Sequence, residues 1–140
     1  MSLSLLSNPA FVASLTDVVN ATSGFDFLLH PVGETVDWDD DAEFAIATNK
    51  DSDSSTPTYQ WKYNIDGNKS FTAAEGTNFA NTTDYVAGAT TSKLELSLLK
   101  DDLDYVRAAY TTWIRCFVTH GGVTIRSQPA RLKVGAEPDE

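Results

Sequence analysis

The chain has 140 residues, 41% of them hydrophobic and 11% aromatic, which suits one packed domain of roughly 100 residues with a short appendage. Its formal net charge of −10 and its pI near 4.4 remove the basic footprint that nucleic acid or an anionic membrane would require of a partner. A single cysteine, Cys116, excludes an internal disulfide, and no apolar run approaches the roughly 20 residues of a bilayer-crossing helix.

Residues 1–7 lack the positive charge that opens a signal peptide, so the expectation is a chain made in the cytosol and used intact. Residues 1–24 differ in texture from the rest. Leu3, Leu5 and Leu6 alternate in a strand-like way. Asn8-Pro9 is a helix-start signal, because Asn can cap and Pro suits the first helical position. Phe11, Val12, Leu15, Val18 and Val19 then recur at helical spacing and form one apolar stripe. A segment this apolar must cover something: its own domain, another subunit or a partner.

From Phe25 the texture changes to short strands separated by turns. Residues 25–29 read as a strand and 30–33 as a break. Residues 43–48 alternate, with Phe44 and Ile46 on one face, and 49–57 form a polar loop. Tyr59, Trp61 and Tyr63 share a face of the next strand, after which Asp66-Gly67 signals a hairpin. Residues 73–91 read as an irregular excursion. Leu94, Leu96 and Leu98 alternate, and Leu103, Val106 and Tyr110 are spaced for a short helix. A strand over 112–119, a turn at His120-Gly121-Gly122 and a last strand over 123–134 precede a frayed acidic tail, 136–140.

A core tryptophan on one strand and a cysteine on a later one mark the two central strands of an immunoglobulin-like β-sandwich. Here they are Trp61, in Tyr59-Gln60-Trp61-Lys62-Tyr63, and Cys116, in Ile114-Arg115-Cys116-Phe117-Val118-Thr119. Together with residues 65–71, 91–96 and the ending 127–134, these blocks resemble the immunoglobulin-like domains of tailed-bacteriophage virion proteins. The resemblance spans residues 25–134 and departs from the pattern in an apparent insertion at 73–88 and a long link from Leu98 to Trp113. It also departs where Ile114 stands two residues before the cysteine in place of a tyrosine.

The resemblance implies an all-β, immunoglobulin-like β-sandwich over 25–135 behind a partly helical docking segment, 1–24. Trp61, Cys116, Phe44, Ile46, Leu94, Leu96, Val118 and Leu132 are expected in the core, with Cys116 acting as a small buried hydrophobe. It further implies a structural virion protein, foremost a capsid decoration protein gripping the shell through Leu3, Leu5, Leu6, Phe11, Val12, Leu15, Val18 and Val19. Its partners would be the major capsid protein or another virion protein, and a second copy of itself. A neck, tail, baseplate or fibre component is an alternative, and so is an adhesion module whose Trp113, Phe117 or Tyr85 stacks on sugar rings.

Three local features admit two readings each. The run Asp37-Trp38-Asp39-Asp40-Asp41-Ala42-Glu43 holds carboxylates enough for Ca²⁺, yet lacks the glycine turn and ligand spacing of a calcium loop; a solvated loop is the preferred reading. If Ile114, Cys116 and Val118 point inward, strand alternation places Trp113, Arg115 and Phe117 on the opposite face. That is the composition of an interface hot spot, unless a bulge turns Trp113 into the core. His30 and His120 are too few for a metal centre and read as surface or turn residues. No nucleophile elbow, phosphate loop or carboxylate pair suggests catalysis, and no cofactor or metal is expected.

Overall fold

The computed structural model describes residues 24–100, 103–106 and 112–135. The strands within them are β1 (Phe27–Leu29), β2 (Glu34–Val36), β3 (Ala42–Ala45), β4 (Ala47–Thr48), β5 (Thr58–Asn64) and β6 (Thr77–Asn78). They continue with β7 (Val86–Ala87), β8 (Lys93–Leu96), β9 (Thr112–His120), β10 (Val123–Arg126) and β11 (Ala130–Val134). The two longest, β5 and β9, are rich in aromatic and β-branched residues, which fit a pleated surface buried on one side.

These strands form two sheets. The larger has the order β2-β11-β9-β5-β6, with β10 also paired to β9. β2 lies parallel to β11, whereas the other pairs are antiparallel. In the smaller sheet β8 lies between β3 and β7, and β1 pairs with β4. Only Ile46 separates β3 from β4, and its N–H still donates to Ser92 O at 2.9 Å, so β3 and β4 act as one line. The chain therefore changes sheets between β1 and β2, at a break that buries Pro31.

The core fills the space between the sheets, and Cys116 and Trp61 are register partners at the centre of the larger one. Both are fully buried, as are Phe44, Leu94, Leu96, Val118 and Leu132, and Ile46 is buried beside them. The Trp61 indole N–H donates to Thr91 O at 2.7 Å, satisfying its polar edge on the link that leads into β8. That link is tight at Gly88, whose φ is +75° and where a Cβ would lie 1.9 Å from Lys93 O.

Five expectations from sequence need correction, the first being the last strand over 123–134, which is broken at 127–129 into β10 and β11. Asp66-Gly67 makes a bend and not a two-residue hairpin. The Asn64 side chain accepts the Asp66 and Asn68 amides, and the chain then runs on to Gly76 before pairing again at β6. The excursion at 73–91 contains β6 and β7 and buries Phe79, Val86 and Ala89. The alternation of Leu94, Leu96 and Leu98 breaks at Leu98, which adopts φ +54° and stays exposed while Leu99 is buried. At 103–106 the chain makes turns, with Leu103 N–H on Lys100 O and Val106 N–H on Leu103 O, and no helix occurs among the described residues.

Candidate docking surface

The eight apolar residues of the N-terminal segment, Leu3 through Val19, lie outside the described residues. What the structure places is the surface they lead into. Large exposed hydrophobics among the described residues are Leu28, Leu29, Val32, Leu98 and Val123, and three of these five lie on β1 or the link behind it. Among the described residues β1 pairs with the two-residue β4 alone. At the end of the sandwich where residue 24 enters, the Phe25 ring lies 5.5 Å from the His120 ring, beside the β9–β10 turn. His120 Nε2 is 3.5 Å from Asp53 Oδ2, which brings the polar loop 49–57 to the same end.

The outer face of the larger sheet is not the open hot spot expected from alternation. Ile114, Cys116 and Val118 do face the core, and Trp113 is partly exposed. Arg115 and Phe117, however, are 8% and 6% exposed. The cover is the segment between β5 and β6, which folds back and inserts Phe71, itself fully buried, with its ring centroid 6.0 Å from that of Phe117. The Arg115 side chain donates through Nε to Ser127 O at 2.7 Å and through Nη1 to Phe71 O at 3.2 Å, and Arg126 Nη1 also reaches Phe71 O. Burial, with Arg126 nearby, lowers the Arg115 pKa from its very high ordinary value. Gly76 completes the fit, because a Cβ there would come within 2.7 Å of the Phe71 ring.

The acidic run is a braced connection. Asp39 N–H donates to Leu99 O and Leu99 N–H to Asp40 O, while the Asp41 carboxylate accepts Leu98 N–H. Lys100 Nζ sits 5.8 Å from the centre of the half-buried Trp38 ring. Among the described residues no group of three or more His, Cys, Asp or Glu is placed to hold a metal ion. His30 accepts the Gln128 amide through Nδ1, a structural contact at 3.0 Å.

Sequence reasoning missed a crevice of about 270 Å³ between the β6–β7 link and residues 103–105. Tyr63, Phe79, Tyr85 and Tyr105 line it together with Asn78 and Asp104. The Tyr105 hydroxyl is buried and has no hydrogen-bond partner among the described residues, and burial followed by neighbouring Tyr63 pushes its pKa up to about 12. Its parts come from three separate segments, and Tyr85 is the one lining residue to which the sequence assigns a binding role.

Comparison with known proteins agrees with the geometry. The tandem Ig repeats of Dlar superpose with a TM-score of 0.55 at 12% identity, over 81% of this chain and 49% of that one. The N-terminal four Ig domains of Dscam1 give 0.56 at 15%, over 82% and 26%. The Ig1-2 module of Drosophila receptor protein tyrosine phosphatase DLAR gives 0.52 at 14%, over 81% and 50%. The described chain is an immunoglobulin-like β-sandwich. It spans half or less of each of these longer structures, and at such identities the likeness concerns the fold alone. A scan against protein-family models finds no match, and neither does a search of the curated proteins.

In this immunoglobulin-like frame β9 and β5 are the central strands that carry the cysteine and the tryptophan. Cys116 is unpaired and buried, and burial holds its thiol pKa far above the ordinary range. The sandwich is thus held by packing, with Phe44 and Ile46 presented to the core by the strand facing it.

Proposed function

We propose that this chain is a non-enzymatic structural component of a tailed-phage virion, a capsid decoration protein that docks through residues 1–24 and displays its immunoglobulin-like sandwich. The observation that carries the docking reading is the clustering of Leu28, Leu29 and Val32 on and behind β1, next in sequence to the apolar stripe of residues 11–19. The phage class is supported by the blocks around Trp61 and Cys116. Burying one Leu or Phe contributes about 1.5–3 kcal/mol, so a few such residues suffice when symmetry repeats the contact over a shell. With 20 carboxylates against 10 Lys and Arg over the whole chain, displayed copies repel one another and keep particles dispersed.

Copy number on purified particles of the virus that encodes the chain tests this. Hundreds of copies are expected for decoration. A small multiple of a ring symmetry would move the protein to the neck or tail, and its absence from the particle would contradict the proposal.

The crevice favours a second reading as a sugar-adhesion module, since it combines Tyr85 with Asn78 and Asp104 beside a buried phenolic hydroxyl that no described residue bonds. Of the three aromatics expected to stack on sugars, Phe117 is buried and Trp113 lies on a different strand from the crevice, which leaves Tyr85. Glycan-array binding abolished by Tyr85→Ala would support this reading, and a blank array would remove it.

A further inference from the structure

We propose that the groove between β1 and the β9–β10 hairpin is the resting seat of this chain's own residues 11–19, which keeps the apolar stripe covered until it docks. The groove has a volume of about 600 Å³, with Phe27, Ala73, Phe117 and Ile125 among its lining residues and the exposed Asp26 and Arg126 beside them. Its occupant is identified by three observations. The first is reach: Asp26 lines the groove and Val19 is only seven positions upstream, so the stripe begins within about 25 Å of it even if the chain is fully extended. A tether this short gives an effective concentration of order millimolar, enough for a weak apolar contact to close. The second is chemistry, because Phe11, Val12, Leu15, Val18 and Val19 match the apolar part of the lining, Phe27, Ile125, Ala73 and the little of Phe117 that Phe71 leaves uncovered, the other lining residues being polar.

The third is charge. Asp17 is the only ionisable side chain in residues 1–23, and helical spacing places it off the stripe. Arg126 meets such a carboxylate: its Nη1 holds Ser70 O and Phe71 O, while its Nε and Nη2 donate to no described group. The stripe would then exchange one apolar surface for another on docking, without a stage at which it faces water. This rests on the reading of residues 1–24 as the docking segment, but the two fail separately: cross-linking reports the seat, and particle occupancy reports the docking.

The experiment uses the full chain carrying Leu15→Cys with Thr124→Cys, since Thr124 lines the groove and is exposed. The native Cys116 is buried and stays out of the reaction. A disulfide within the monomer is expected to form at least about tenfold faster than in a control pairing Leu15→Cys with Thr83→Cys on the β6–β7 link. Equal rates, or a disulfide found only between two copies, would overturn the proposal. A second measurement avoids the introduced thiols. Replacing Phe11 and Leu15 by Asp should shift the amide signals of Phe27, His30, Thr124 and Ile125 while leaving those of Trp61 and Cys116 in place. Unmoved groove signals would equally overturn it.

Discussion

Phe71 decides which side chains of β9 meet solvent. Its ring is fully buried on the outer side of the larger sheet and is held from above by Gly76 and from the sides by the two arginines that bond its carbonyl. Removing the ring leaves a cavity and uncovers a charged group at once, so Phe71→Ala is expected to cost about 3–5 kcal/mol, read as a lower denaturant midpoint. A loss below 1 kcal/mol would mean that the cover is loose. Cys116 makes a separate expectation at this scale. With its thiol buried and protonated, it should be inert to a thiol reagent in the native protein and react fully in denaturant. Rapid native reactivity would contradict the closed core.

Between strands, polar side chains set the turns. The Asp51 carboxylate accepts the Thr48 amide, the Thr48 hydroxyl at 2.6 Å and the Tyr59 hydroxyl at 2.8 Å, tying the end of β4 to the start of β5. Asp51→Ala strands three donors and should lower stability by about 1–3 kcal/mol in a denaturant titration. Tyr59 has its pKa pushed up to about 12, first by burial and then by its bond to Asp51, and Tyr105 reaches about 12 chiefly through burial. Both are neutral acids that keep their protons longer when folded. Above pH 10 the unfolded chain has released protons that the native state retains, so stability should fall as pH rises from about 10 to about 12. Absorbance titration should show Tyr59 and Tyr105 ionising late in the native protein, with Tyr63 also held back by burial and by Asp104.

At this scale, too, the limits of sequence reading have a physical cause. β5, β8 and β9 were legible because alternation and β-branched or aromatic residues state a half-buried strand directly. β6 and β7 were not, since a two-residue strand is too short to alternate. The last strand splits into β10 and β11 because Pro129 cannot donate and Ser127 turns inward, its hydroxyl accepting the Cys116 amide. Alternation placed Arg115 and Phe117 on the outer face, but nothing local announces that a phenylalanine forty-six positions upstream of Phe117 will cover it. The crevice was equally illegible, because it assembles from β5, the β6–β7 link and residues 103–105.

For the molecule as a whole, the division of labour follows from where apolar surface is left over. The two sheets enclose their hydrophobics without a disulfide, and large exposed hydrophobics gather on and behind β1. Under the proposed function, the apolar residues ahead of β1 serve docking and not the core of the sandwich. Deleting residues 1–20 should leave the melting profile of the sandwich within a few degrees of the full chain, since the buried core residues among those described fall within 42–134, with Phe25, Phe27 and Val36 packed against them.

The most direct measurement is the occupancy of that truncated chain on the particle. A folded protein missing from particles that carry the full-length chain is the expected result. Incorporation of the truncated chain at normal occupancy would contradict the docking role of the N-terminal segment.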